Sequence, residues 1–160
     1  HLVTDNHIED HSTFHDGLTP TELGTVVHKV LEQLNSEDDW PEVKKSLSAG
    51  VGIGETDRLL IEKRVENILN LDRAKVFFAP GLHVESECDF VDMDGGISRP
   101  DRIVRIDGVW HIVDYKSTES GKNKHIKQVE GYVETLQAIE GDRVKGWLLY
   151  TDPLQLVSVK

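Results

Sequence analysis

The sequence predicts a mixed α/β domain in which helices come first and a sheet second. Three observations carry this. Up to residue 71 apolar residues recur at helical spacing; from residue 82 short β-rich runs divided by turn signals replace them; and one further amphipathic helix interrupts those runs. The expected order is helices, a three-strand meander, a helix, and two strands, with the strand after the helix lying parallel to its neighbour in a central mixed sheet.

Residues 1–17, HLVTDNHIEDHSTFHDG, show neither period and are expected to be a weakly ordered arm ahead of a single domain over 18–160. TPTELGTVVHKVLEQLN opens a helix through a capping box, with Thr19 as N-cap, Pro20 in the first turn and Glu22 three residues after the cap. Leu23, Val26, Val27, Val30, Leu31 and Leu34 then mark one buried face. A short helix is expected through PEVKKSLSAG, stopped near Gly50, and a longer one through ETDRLLIEKRVENILNL. The glycines of AGVGIGET between them lack a preceding strand and a following Gly-Lys-Ser/Thr, so they read as a connector rather than a phosphate loop.

The meander is LHVESECDFV, RIVRI and VWHIVDYK, with DMDGG in the first connection and Asp107-Gly108 as a two-residue hairpin turn in the second. KHIKQVEGYVETLQAI is a helix with Ile126, Val129, Val133, Leu136 and, at the end of the stripe, Ile139 expected inward. VKGWLLYT is apolar enough to be central, and LQLVSVK should pair with it through the Asp152-Pro153 turn.

The chain has 160 residues, enough for one core. No apolar run is long enough to span a bilayer, and the first residues lack the basic-then-apolar pattern of a signal peptide, so a cytoplasmic location is expected. A single cysteine, Cys88, excludes an internal disulfide and a self-contained four-cysteine metal site. A net charge of −11 argues against a nucleic-acid binder that relies on a basic surface. Yet Arg99 to Lys127 holds seven basic residues against four acidic ones, a local +3 in an otherwise acidic chain. A basic strip around acids is what a site for a phosphate ester and a cation needs.

With Asp107 and Gly108 as the turn, opposed strand positions sum to 215 and Asp101 faces Asp114. Directly opposed carboxylates sit about 5 Å apart at Cβ and repel. Lys116, two residues past Asp114, projects from the same strand face. It can neutralise one acid; a divalent cation with oxygen ligands would account for the second. The alternative is an exposed hairpin face with ordinary charges, against which Ile103, Trp110 and Ile112 on the same face point to a partly buried site.

An acid before a hairpin, then Asp-x-Lys on the next strand with a Glu on a preceding strand, resembles the PD-(D/E)xK nuclease pattern. More narrowly, GTVVHKVLEQL, VESECDF, SRPDRIVRIDG, IVDYKST, QVEGYVETL and VKGWLLY resemble, in order, the RecB-like nuclease domains of the AddAB and RecBCD helicase–nucleases and of UvrD/Rep-type helicases. The resemblance implies a restriction-endonuclease-like core and metal-dependent hydrolysis of linear DNA, single- or double-stranded. It implies that His28, Asp101, Asp114 and the backbone carbonyl of Tyr115 hold Mg²⁺ or Mn²⁺, and that Lys116 orients and helps deprotonate the attacking water. Glu87 is the expected upstream acid through a Glu-x-x-Phe fit with Phe90, with Glu85 as its competitor. Gln128 and Tyr132, four apart on one helical face, and Arg99 and Arg102 of the basic strip are expected to bind DNA or support the site.

His7, His11 and His15 stand at helical spacing, but HIEDH is not His-Glu-x-x-His, so a solvated arm is the better reading. His83, His111 and His125 lack partners at ligand spacing. No ATP-binding motif is present, so a helicase motor would lie elsewhere on the polypeptide or on a partner subunit; the isolated domain is expected to be monomeric. Two other classes remain: a nuclease-like module that docks or binds DNA without catalysis, and a small-molecule phosphohydrolase.

Overall fold

A computed structural model describes residues 17–50, 52–85, 88–91 and 94–160. The capping box forms as expected: the Thr19 hydroxyl accepts from Glu22 N at 3.2 Å and Glu22 Oε2 accepts from Thr19 N at 3.0 Å, starting α1 (Pro20–Glu32). Helices α2 (Trp40–Ala49) and α3 (Glu55–Asn70) follow, then a single turn, α4 (Asp72–Lys75). Gly50 caps α2 as predicted.

The first β-rich run does not form one strand. It splits into β1 (His83–Glu85) and β2 (Phe90–Val91), and β2 leaves the main sheet to pair antiparallel with β3 (Ile97–Ser98) as a separate ribbon. The alternating texture of LHVESECDFV marks extended chain; it carries no information on which partner each half takes.

Strands β4 (Arg102–Ile106) and β5 (Val109–Lys116) form the hairpin in the predicted register, Arg102 opposite Val113 through Ile106 opposite Val109. Asp107 (φ 50°) and Gly108 (φ 78°) both take positive φ, the requirement of the tight turn that an Asp-Gly pair meets. Helix α5 (Lys122–Glu140) then crosses over to β6 (Val144–Thr151), which runs parallel to β5, and β7 (Leu154–Ser158) pairs antiparallel with β6. The sheet order is β1-β4-β5-β6-β7, a mixed sheet consistent with the restriction-endonuclease-like fold.

Alternation along the strands divides the core into two layers. Ile103, Ile112, Leu148 and Tyr150 pack under Val129, Tyr132, Val133 and Leu136 of α5. Val104, Val113, Tyr115 and Leu149 pack on the other face against Val27, Val30 and Leu31 of α1 and Ile61, Val65 and Ile68 of α3. Ile139, expected inward, is 70% exposed: the stripe of α5 runs off the sheet edge before the helix ends.

Two glycines mark where helices lie closest to the sheet. A β-carbon on Gly146 would stand 2.7 Å from Val129 and Val133 methyls, and one on Gly24 would stand 2.7 Å from Ser117 Cβ. The second contact fixes the height of α1 over the end of β5, where the predicted acids lie.

Candidate metal and phosphodiester site

The hairpin register that aligns Arg102 with Val113 puts Asp101 and Asp114 opposite each other at the next position out. Asp101 is held by two elements. Its Oδ2 accepts from the Tyr115 backbone N–H at 2.7 Å, and its Oδ1 lies 2.6 Å from His28 Nε2 on α1. Asp114 is 3% exposed, and its Oδ2 is 3.0 Å from the Lys116 ammonium but outside hydrogen-bonding geometry. Lys116 Nζ donates to Gln128 Oε1 at 3.0 Å, and Gln128 Nε2 donates to the Tyr132 hydroxyl at 3.1 Å. The i, i+4 pair on α5 thus anchors the lysine from the opposite side of the site.

Electrostatics follow from burial and like charge. Burial, and then the neighbouring Asp101 charge, push the Asp114 carboxyl up to about 7. Burial also acts to raise Asp101, but hydrogen bonds with His28 and Asp114 outweigh it and hold Asp101 below the usual carboxylate range. The hydrogen bond to Asp101 raises His28, against the opposing effect of its burial.

Glu32 is the residue that sequence reasoning missed. Its Oε1 lies 3.1 Å from His28 Nε2, the same nitrogen that Asp101 reaches. Among the described residues His28, Glu32 and Asp101 each offer one donor atom within 4.8 Å of the others. The available signal was spacing: Glu32 is four residues after His28, hence on the same flank of α1.

The donor set fits a divalent cation. Two carboxylate oxygens, from Asp101 and Glu32, converge on one imidazole nitrogen, with the buried Asp114 carboxylate adjacent. Nitrogen plus carboxylate oxygen suits Mn²⁺ and tolerates Mg²⁺. A cleft of about 210 Å³ opens beside it, lined by Gly24, Thr25, His28, Lys116 and Ser117.

One expected residue stands elsewhere. Arg102 does not face DNA: it is 3% exposed, its guanidinium donates to the carbonyls of Leu34 (2.6 Å), Asn35 (2.5 Å) and Phe77 (2.8 Å), and it lies over the Phe78 ring. It ties the end of α1 to β4. Arg99 pairs with Asp89 at 2.8 Å near the ribbon, where it braces the connection into Pro100 and Asp101. Glu87 and the histidines 7, 11 and 15 lie outside the described residues. Glu85, Glu87's competitor, pairs with His83 at 2.6 Å.

A family model described as the PD-(D/E)XK nuclease superfamily matches residues 7–155. The chain belongs to the PD-(D/E)XK nuclease superfamily. Pro100-Asp101, just ahead of β4, and Asp114-Tyr115-Lys116 on β5 supply the motif letters, at the place where the side chains above converge. PD-(D/E)XK proteins generally hydrolyse DNA phosphodiester bonds and use divalent metals. No curated protein gives a significant match to the chain.

Proposed function

We propose that this PD-(D/E)XK domain is a divalent-metal-dependent DNA exonuclease that works with a helicase in double-strand-break repair, in the manner of the RecB-like domains it resembles. The observation that carries the hydrolytic reading is the convergence of Asp101, Asp114, Lys116 and His28, from two strands and a helix, at one open end of β5.

In this reading His28, Asp101, Asp114 and the Tyr115 carbonyl hold Mg²⁺ or Mn²⁺, with Glu32 closing the set. The ion supplies charge stabilisation on the phosphate oxygens and a lowered pKa for a bound water. Lys116 Nζ, fixed between Asp114 and Gln128, orients the attacking water and opposes the negative charge that develops on it. Gln128 is kept in orientation by Tyr132, so the pair supports the lysine rather than the phosphate. Water adds to phosphorus in line, one P–O ester bond breaks, and the products are a phosphate monoester and a hydroxyl end.

The net charge of −11 supports a helicase partner, because a domain this acidic needs another surface to deliver DNA to it. Such work would place the protein in the cytoplasm.

The test is incubation with linear and with closed circular DNA in Mg²⁺ or Mn²⁺. The reading expects degradation of the linear form only, lost in Lys116→Ala and Asp114→Ala. Cleavage that survives both substitutions contradicts the hydrolytic assignment, and equal cleavage of the circle contradicts the exonuclease one.

A further inference from the structure

A second cavity lies on the far side of Lys116 from the metal cleft. It is a groove of about 780 Å³ between α5 and the β2–β3 ribbon, and Lys116 lines both spaces. Its walls carry Lys124, His125 and Lys127 of α5, with Val91 of the ribbon opposite. Lys124 and Lys127 are exposed, and neither makes an ion pair among the described residues. Among the described residues Glu134 is the one acid on the wall, and it is paired with Lys160 at 3.2 Å. In a chain of net charge −11 these unpaired cations beside the site lysine are an exception that calls for an anion.

Val91 at the edge of the groove is 66% exposed, which gives the groove an apolar lip. One wall offers positive charge and the other apolar surface. That division matches a nucleic acid strand, with its phosphates on one side and its bases on the other.

We propose that this groove holds a single DNA strand, with Lys124 and Lys127 on successive phosphates, Val91 against the bases, and the strand entering the metal cleft past Lys116. Residues three apart on a helix stand about 5–6 Å apart at Cβ, so the two lysines address neighbouring phosphates. A space of about 780 Å³ is the size of an ordinary small-ligand site, room for a few nucleotides of one strand. The proposal rests on the nuclease reading and adds to it the strand state and the path.

The experiment measures binding of a short labelled oligothymidylate and of its duplex by fluorescence anisotropy in Ca²⁺ over a series of salt concentrations, with intact DNA checked on a gel. The double variant Lys124→Ala/Lys127→Ala is expected to lose about 1.4 from the single-strand slope of log K against log salt, about 0.7 for each phosphate contact, and to lose less on duplex. A charge-reversed pair, Lys124→Glu/Lys127→Glu, should weaken single-strand binding further while its melting curve stays that of a folded protein. An unchanged slope, or an equal loss on duplex, would overturn the proposal. Cleavage by the wild type is scored separately: a protein that cleaves but keeps its slope in the variant refutes the groove alone, and one whose slope falls but that never cleaves refutes the nuclease reading alone.

Discussion

Asp114 is buried beside Asp101, and its carboxyl is pushed up to about 7 from an ordinary value of 3.8. Between those values the folded, ion-free protein holds a proton that the unfolded chain releases, so this group makes stability fall as pH rises through the window. Melting in EDTA should therefore show a lower midpoint at about pH 8 than at about pH 5. Asp114→Asn should flatten that dependence and stabilise the ion-free protein at high pH by about 1–3 kcal/mol, since it removes one of two adjacent buried charges, while abolishing cleavage. A variant less stable than the wild type in EDTA at high pH would show that the carboxylate is not under strain. Glu32→Gln should weaken Mn²⁺ binding by about tenfold if its oxygen belongs to the ion's surroundings; calorimetry reads this, and an unchanged affinity would reduce Glu32 to a partner of His28. At this scale the sequence was informative where geometry was rigid. The Asp-Gly turn and the two-residue strand period place Asp101, Asp114 and Lys116 together from the sequence alone. Arg102 escaped because a charged strand residue between apolar ones reads the same whether it meets solvent or three carbonyl oxygens.

Helix α1 reaches the site through one close approach, Gly24 against Ser117. Gly24→Ala would add a β-carbon 2.7 Å from Ser117 Cβ, lifting α1 and drawing His28 and Glu32 away from Asp101. The expected result is a loss of Mn²⁺ affinity of about tenfold with a stability cost of about 1–3 kcal/mol. Gly24→Ala combined with Ser117→Gly should restore the affinity; failure of that rescue would mean the contact does not set the helix height. Arg102→Met should cost about 3 kcal/mol or more in urea unfolding, because three carbonyls lose a charged donor, and should leave the salt dependence of DNA binding unchanged. Helix limits were legible because caps are local chemistry: Thr19, Pro20, Glu22 and Gly50 each act within one turn. The β2–β3 ribbon was not. Its pairing joins residues across a connection whose texture is that of any turn, and the choice between sheet and ribbon is made by packing of Phe90 against Tyr132, whose rings stand 5.4 Å apart.

The whole molecule places a mostly apolar sheet between α5 on one face and α1 with α3 on the other, and opens two cavities at the end of β5 around Lys116. No helix among the described residues is long and apolar enough to cross a membrane. The fold was legible as an order of elements because strand, helix, strand with apolar runs on either side forces a crossover and a parallel pair. The cationic strip was legible in the sequence but its division was not: the fold buries Arg102 among backbone carbonyls and sends Lys124 and Lys127 to an exposed wall of α5. The account stands on one claim above the others, that His28, Asp101 and Asp114, with Glu32, hold a divalent ion. Titration of the chain with Mn²⁺ by calorimetry tests it most directly. The account predicts saturable binding that is abolished by Asp101→Asn and by His28→Ala; heats that are absent in the wild type, or the same in both variants, would contradict it and leave a nuclease fold that binds without catalysing.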